Sequence, residues 1–447
     1  MVQIAEFYKN YLEIKAALPF LDCYISDYPS AWDDAPQNSP VEYRQLSFTD
    51  GNPRLVRQTD HTFDEIIRMA EESPEINFII ASGDRKLLYH FDILCKLLAE
   101  YDNLYLCTAN LCNEYALERM IECGVKDKLL FGSMMPFYDA GQSLGPLVLG
   151  EFDWETKCAI AGNNFRRLLG ERAVITPEVK MKKLSPVIID AHTHTIEDGT
   201  FSKFPPYNAS ADWQLWKERM EKSGTERVIV TPAESIFDAG KISSQQLVSK
   251  MCRDSGGKVT YFEVFDPRYA DKSYKNIEES LKDPYCIGIK IHPVEHSTPA
   301  DSELYDLPFE LAERYNKPVM THSWGASDYN PLQKFATPSL FDLHLCNHPG
   351  VTLVFGHTGG RPNGFAEAVE MCRKHPQCMC DLAGDIFHNG FIQHAISEIG
   401  ADKLIFATDI YWIDLRCMLA MLFENGVSIE DMKKILRKNA EKTYFPG

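Results

Sequence analysis

The second half of this 447-residue sequence predicts a (β/α)8 barrel, and the first half predicts an incomplete, degenerate α/β domain. From residue 185 onward, a short apolar run, a polar residue at its end and a stretch with helical periodicity alternate eight times. This alternation is typical of parallel βα units, and eight such units close into a barrel of about 250 residues. The first half has too few strand-like runs to complete a barrel.

The eight apolar runs define the expected barrel strands. In chain order they are residues 187–191, 227–231, 259–265, 287–291, 318–321, 351–356, 378–382 and 403–408. The functional side chains of such barrels lie at the carboxyl ends of the strands. Polar residues at these ends are therefore the candidates for a functional site.

The first strand ends in Asp-Ala-His-Thr-His, residues 190–194. Side chains two positions apart on a strand point to the same side, so His192 and His194 can hold one metal ion together. Neutral imidazole is a ligand of zinc, iron and nickel. A His-x-His pair is also compatible with a merely polar surface, so ligands at other strand ends decide between these interpretations.

Further candidate ligands occur at other strand ends. They are Lys290 and His292 on the fourth strand, His322 on the fifth, His357 on the sixth and Asp409 on the eighth. Any one of these histidines is more often a hydrogen-bonded core or loop residue. Several of them at one barrel mouth, together with an aspartate, favour a metal site. Asp266 and Asp381 also lie near strand ends, which shows that position alone is not selective.

Residues 186–447 resemble the amidohydrolase superfamily, in the branch that contains metal-dependent hydrolases and nonoxidative decarboxylases. The resemblance rests on IIDAHTH (188–194), GIKIHP (288–293), PVMTHS (318–323), VFGHTGG (354–360) and LIFATD (404–409). It implies a divalent metal, with zinc expected, held by His192, His194, His322 and Asp409. It also implies that Asp409 accepts the proton of metal-bound water. His357 would then act beside that water or bind a second metal.

The number of metal ions depends on Lys290. By the same resemblance, a lysine at the end of the fourth strand is carboxylated in binuclear members and bridges two ions. The motif also occurs in mononuclear relatives, where the lysine binds a substrate carboxylate or forms structural hydrogen bonds. One ion is favoured, and two are expected if Lys290 is carboxylated.

Four residues near the expected ligands are assigned to substrate binding. They are His292, Trp324, Arg361 and Trp412. An arginine can clamp an anionic substrate through two hydrogen bonds, and aromatic rings can form apolar pocket walls. An exposed arginine and ordinary barrel packing are the alternative interpretations. Residues 201–207 contain two prolines, which exclude a helix, and are expected to cover the barrel mouth.

The first half repeats several motifs of the second half at a nearly constant spacing. Residues 76–84 align with residues 351–359, and residues 127–131 align with residues 402–406, each pair 275 positions apart. The positions of the ligands and of His357 are taken in the first half by Tyr24, Ser26, Ser82 and Met134. We therefore expect an internal repeat whose first copy has lost the metal ligands.

Domain boundaries follow from this repeat. Residues 1–170 are expected to form the degenerate domain, residues 171–185 a linker and residues 186–447 the metal-dependent barrel. An open parallel sheet has edges that need a cover. The barrel would provide this cover, or a second copy of the chain in a homo-oligomer formed through the first domain.

Composition predicts a soluble cytoplasmic enzyme with a small-molecule substrate. The net charge of −18 argues against nucleic acid and anionic membranes as partners. The sequence has no run of eighteen apolar residues, and its start lacks the basic and apolar regions of a signal peptide. Thirteen scattered cysteines, an odd number, predict reduced thiols.

Three functions remain open at this point. The favoured one is a metal-dependent hydrolase that uses a metal-activated water on an amide, lactone or related carbonyl substrate. The same ligands would serve a nonoxidative decarboxylase or hydratase of a small carboxylate. A noncatalytic binding or regulatory protein belongs to a different class, and the intact set of ligands argues against it.

Overall fold

The computed structural model describes residues 1–23, 43–48, 60–81, 90–197, 209–327 and 330–446. These residues contain two parallel sheets, one of five strands and one of eight. The segment predicted to cover the barrel mouth, residues 201–207, lies outside the described residues, as do Tyr24, Ser26 and Ser82.

The first sheet belongs to a smaller α/β domain, in agreement with the predicted fold class. Its strands are β1 (Tyr43–Phe48), β2 (Asp60–His61), β3 (Asn77–Ala81), β4 (Leu104–Cys107) and β5 (Leu129–Leu130). They are parallel, in the order β2-β1-β3-β4-β5. The helices of this half are α1 (Ile4–Ala17), α2 (Phe63–Glu72), α3 (Phe91–Glu100), α4 (Ala116–Glu122), α5 (Gly141–Val148), α6 (Trp154–Cys158) and α7 (Asn164–Leu168).

The second sheet runs in unbroken parallel order from β6 to β13. Its strands are β6 (Ile188–Thr195), β7 (Thr225–Pro232), β8 (Val259–Phe265), β9 (Cys286–Ile291), β10 (Val319–His322), β11 (Leu353–Gly356), β12 (Met379–Asp381) and β13 (Leu404–Ile405). Residues after β13 complete the barrel by bonding to β6. The amide of Asp409 donates to the carbonyl of His192, and the amide of His194 donates to that of Ile410, both at 2.8 Å. This (β/α)8 barrel confirms the predicted fold class.

Helices follow the barrel strands and form its outer layer. They are α8 (Trp213–Ser223), α9 (Ala233–Phe237), α10 (Ser244–Asp254), α11 (Ala270–Ser280), α12 (Asp306–Tyr315), α13 (Asp342–Asn347), α14 (Pro362–Lys374), α15 (Phe391–Ile399), α16 (Leu415–Glu424), α17 (Ile429–Lys433) and α18 (Asn439–Tyr444). No helix among the described residues is long and apolar enough to cross a membrane.

The barrel interior is a packed apolar core. Every strand contributes at least one side chain to a single buried cluster, which includes Ile189, Ala191, Ile229, Phe262, Ile287, Met320, Val354, Met379 and Ile405. Such filling is normal for the fold and leaves the carboxyl ends of the strands as the place for polar chemistry.

The two halves of the chain pack through α5 and α16. A Cβ added to Gly145 would lie 2.0 Å from the carbonyl oxygen of Arg416, so the two helix backbones are in direct contact. Buried ion pairs flank this contact, because Arg416 bonds to both Asp414 and Glu118. Glu114 likewise pairs with Arg219 of α8 at 2.5 and 2.9 Å. The pairs Arg416–Glu118 and Arg219–Glu114 join different halves of the chain and therefore help to fix how the halves dock.

Several local features recur 275 residues apart. A π-helical turn at Ala159–Asn163 precedes α7, and another at Lys434–Lys438 precedes α18. Asn164 and Asn439 each donate two side-chain hydrogen bonds to the backbone just before and within the last strand of their half. Met134 and Asp409 both have positive φ, of 58° and 69°. The two halves thus share backbone geometry at these positions, whereas a carboxylate is present only in the second.

Replacing Gly145 with alanine is expected to weaken the docking of the two halves. The added methyl group has no room against the backbone of α16, and overpacking of this kind costs about 1–3 kcal/mol. Thermal and urea unfolding measure the loss. Gly350→Ala is the matched control, because the nearest atom to its Cβ would be 3.7 Å away. Equal stability of both variants and the natural protein would contradict the packing described above.

Candidate metal centre and active site

Two histidines at the carboxyl end of β6 form the base of the site. Strand alternation places His192 and His194 on the same side, and both are buried. The Nδ1 atom of His192 is 3.0 Å from Oδ2 of Asp381, and Nδ1 of His194 is 2.9 Å from the carbonyl oxygen of Thr231. A carbonyl oxygen can only accept, so Nδ1 of His194 carries the proton and its Nε2 atom is left with a lone pair.

Asp409 faces these Nε2 atoms. Its Oδ1 lies 3.0 Å from Nε2 of His194 and 3.9 Å from Nε2 of His192. Suitable ligand atoms of the three residues all lie within 4.8 Å of one another. Burial alone would raise the pKa of Asp409, but the hydrogen bond with His194 and the neighbouring imidazoles hold that pKa well below its ordinary value. Asp409 is therefore a carboxylate.

The contact between Asp409 and His194 fits a bound cation. With the proton of Nδ1 committed to Thr231, Nε2 of His194 lies only 3.0 Å from a carboxylate oxygen, so either a second proton or a metal ion is needed between these two atoms. Two acceptors at this distance repel each other unless a proton or a metal ion lies between them. Imidazole nitrogens and a carboxylate are a donor set that divalent transition metals bind. His192, His194 and Asp409 can thus hold such an ion.

Asp381 organises two sides of the site. Its carboxylate is fully buried and accepts from the ring of His192 through Oδ2. Its Oδ1 accepts from the backbone amides of His357, at 2.7 Å, and Ala383, at 3.1 Å. A carboxylate behind a ligating histidine fixes the tautomer and orientation of the ring. No role for Asp381 is predicted from the sequence, where its signal is a polar residue at the end of the seventh strand.

His357 enters the site from the turn after β11. Its backbone has a φ of 62°, a conformation that L residues rarely adopt. Its Nδ1 donates to the carbonyl oxygen of Ala383 at 3.0 Å, which leaves a lone pair on Nε2. Burial lowers the pKa of His357 to about 4, so the ring is neutral at physiological pH. The structure therefore places an uncharged imidazole 5.0 Å, between ring centres, from His192.

Lys290 lies in the floor of the site. Its Nζ atom is 3.0 Å from Nε2 of His192 and is almost completely buried. Burial lowers the pKa of Lys290 to about 8. The amine thus contacts the same nitrogen of His192 that faces Asp409. Carboxylation of Lys290 and a second metal ion stay predictions.

His322 lies beside the compact cluster rather than in it. Its Nε2 atom is 3.1 Å from Oε1 of Gln333, and its ring centre is 4.8 Å from that of His357. The ring of His292 stacks on it, with centres 4.3 Å apart and planes 8° apart. Ligation by His322 stays a prediction, because it belongs to neither group of converging ligand atoms around His192 in the described residues. Gln333 could not be found from motif spacing.

Three of the predicted substrate residues border the mouth. Trp324 is nearly parallel to His322, at 4°, with ring centres 6.0 Å apart, and its ring centre is 5.5 Å from that of His357. The guanidinium of Arg361 lies 5.8 Å from the Trp324 ring. Trp412 packs on Tyr411 in a separate apolar cluster. The structure thus brings Trp324 and Arg361 together and places Trp412 on a different wall.

Comparison with known proteins agrees with this architecture. The family model described as Amidohydrolase matches residues 189–445, which confirms the resemblance inferred from the sequence motifs. No curated protein shows significant sequence similarity to the chain.

Two solved structures that match the chain each align with a little more than half of it. One is 2,6-dihydroxybenzoate decarboxylase from Rhizobium, which is 16% identical with a TM-score of 0.43 over 57% of this chain and 98% of that chain. Another is 5-carboxyvanillate decarboxylase from Novosphingobium aromaticivorans, complexed with manganese and a nitrobenzoic acid. It is 13% identical with a TM-score of 0.45 over 58% and 96%. Similarity at this level does not extend to substrate.

Replacing Asp381 with asparagine is expected to weaken metal binding by about 10- to 100-fold. The amide cannot hold the ring of His192 as a carboxylate does, and losses of this size are usual for such partners. Metal titration followed by calorimetry measures the affinity. Asp402→Asn is the control, since that side chain is 75% exposed. Unchanged affinity in the Asp381 variant would show that the carboxylate does not orient a ligand.

Proposed function

We propose that this chain, which belongs to the amidohydrolase family, is a metal-dependent enzyme that acts on the carboxyl or carbonyl group of a small molecule. The observation that carries this proposal is the convergence of His192, His194 and Asp409, with the Nδ1 atoms of both histidines committed elsewhere. A divalent ion at this place would supply a Lewis acid for an oxygen of the substrate and would lower the pKa of a bound water to about 7.

The protein's own groups divide the remaining tasks. Asp409 is ionised and can accept a proton beside the metal ligands. His357 is neutral, with its Nδ1 proton held by Ala383, so its Nε2 atom can accept a hydrogen bond or a proton. Lys290, with a pKa of about 8, is the group near the ligands that carries a proton at neutral pH. Asp409 and His357 can thus accept a proton from a bound substrate, and Lys290 can donate one to it.

Nonoxidative decarboxylation of a small carboxylate is our first candidate reaction. The rings of His292, His322 and Trp324 are nearly parallel and are stacked in series next to His357, which gives this part of the site an aromatic surface. A planar acid would stack on such a surface, and Arg361 beside Trp324 supplies a cation for an anionic group. The arrangement favours an aromatic carboxylate as substrate.

Hydrolysis of an amide or lactone is the second candidate. It is favoured by the position of Asp409, which lies next to the metal ligands and is ionised, as the base of such a reaction must be. The two reactions differ in their products, so they are separated by experiment rather than by ligand geometry.

Turnover is expected to require a divalent metal and to release carbon dioxide. The purified chain would be incubated with 2,6-dihydroxybenzoate, 5-carboxyvanillate, and a panel of aryl lactones and anilides, after loading with zinc or manganese. Chelation should reduce the rate to background, and either ion should restore it, because the ligands converge on one place. Activity that survives complete metal removal would contradict the proposal. Hydrolysis products without carbon dioxide would favour the second candidate.

Asp409→Asn is expected to lower the turnover number by at least about 100-fold, because the amide cannot accept a proton. Metal content measured by mass spectrometry distinguishes this effect from loss of the ion. Asp402→Asn serves again as the exposed control. Full turnover of a metal-loaded Asp409 variant would exclude the aspartate as base. A fully loaded natural protein without turnover on the whole panel would favour a binding role.

A further inference from the structure

We propose that the first half of the chain is a positioning clamp for the two barrel loops that carry and orient the candidate catalytic groups. These are the loop after β12, residues 382–390, and the loop after β13, residues 406–414. The inference rests on the proposed function, because it gives the first half of the chain a role in the same candidate site.

In the first half, the segment after β5 is hydrogen-bonded to the loop after β12. The amide of Asp139 donates to the carbonyl of Phe387 at 2.7 Å, and the amide of Asn389 donates to the carbonyl of Phe137 at 3.2 Å. Tyr138 and His388 pair as in an antiparallel sheet, with ring centres 6.2 Å apart.

A side-chain bond adds to this backbone pairing. The Nδ2 atom of Asn389 donates to the carbonyl of Pro136 at 3.2 Å. The tip of the loop is thus bonded to the backbone of three residues of the first half within a four-residue stretch, residues 136, 137 and 139.

The same loop determines the position of His357. The carbonyl of Ala383 accepts the proton of His357 Nδ1 at 3.0 Å. A Cβ added to Gly384 would lie 2.6 Å from that nitrogen, so loop and ring are in direct contact. The amide of Gly384 also donates to the carbonyl of Thr408, next to Asp409, at 3.2 Å. A displacement of the loop therefore moves the hydrogen-bond acceptor that fixes the imidazole.

A second set of bonds joins the first half to the loop after β13. The amide of Asp414 donates to the carbonyl of Cys112 at 2.8 Å, and the Oδ2 atom of Asp414 accepts from the amide of Tyr115 at 3.0 Å. Arg416 then pairs with Glu118 of the first half. These bonds begin five residues after Asp409. The first half is therefore bonded both to the loop next to His357 and to the loop that contains Asp409.

Backbone conformation explains why this support is needed. His357 has a φ of 62° and Asp409 a φ of 69°. Non-glycine residues persist in this region only where the surroundings hold them, at a cost of about 1–3 kcal/mol each. A shift of about 1 Å in a catalytic group can reduce turnover by roughly 100-fold. The contacts of the first half thus act on orientation, whereas the metal ligands of β6 lie in a strand that needs no such support.

The test weakens the contacts between the first half and the loop after β12 in the full-length, metal-loaded chain. Tyr138→Ala, Asn389→Ala and the double variant remove the ring contact and the side-chain bond. Tyr138→Phe keeps the ring and is the conservative variant. Tyr101→Ala is the control, because the Tyr101 hydroxyl donates to Glu71 within the first half.

We expect the double variant to lose about 10-fold or more in kcat, with KM and metal content close to those of the natural protein. Tyr138→Phe should retain the natural kcat, and Tyr101→Ala should as well. Hydrogen–deuterium exchange of the peptide covering residues 382–390 should rise several-fold in the double variant. The exchange measurement needs no substrate, so it tests the clamp even if the proposed reaction is wrong.

Any of three results would overturn the proposal. The first is an unchanged kcat in the double variant although the exchange of residues 382–390 has increased, because the loop would then be released without consequence for turnover. The second is unchanged exchange of this peptide in the double variant, because the first half would then not hold the loop. The third is loss of metal together with kcat, because the first half would then stabilise the metal site.

Discussion

The buried carboxylate of Asp381 accepts hydrogen bonds from the ring of His192 and from the backbone of His357, and the rest of the site is arranged around it. A buried carboxylate without partners is strongly unfavourable, so its position and that of its donors are mutually dependent. Its bond to His192 turns Nε2 of that ring towards Asp409. One group at the end of β12 thereby connects β6 and β11 and orients the groups proposed for metal binding and proton transfer.

The two halves of the chain share backbone features but differ in chemistry. Positive φ, a π-helical turn and a buried asparagine recur 275 residues apart, whereas Met134 stands where the second half has Asp409. An apolar thioether is a poor ligand for a hard divalent ion. The close contact of α5 with α16 and the buried pairs of Arg219 and Arg416 hold the halves together. The first half thus shares these local backbone features with the barrel and contacts the barrel loops next to the site.

Much of the fold and part of the site could be predicted because parallel strands converge at one end. Alternation of apolar and helical segments located all eight barrel strands within a few residues, and the polar residues at their ends included His192, His194 and Asp409. Asp381 escaped assignment because it is 189 residues from His192 in the chain. Nothing in the spacing of motifs indicates which two strand ends lie close enough for a hydrogen bond. Gln333 lies in a helical turn at residues 331–336 that carries no motif, and a backbone carbonyl such as that of Ala383 has no sequence signal.

The sequence by itself determined the barrel, its order of strands and the residue types at its mouth, because periodicity and strand-end position are local properties of the chain. Only the tertiary structure decided which of these residues converge. His192, His194 and Asp409 face one another, whereas His322 turns towards Gln333 and stacks on His292. It also decided that the first half holds the loops beside His357 and Asp409. Side-chain direction and hydrogen-bond partners depend on distances between segments far apart in the chain, and these distances exist only once the barrel has closed.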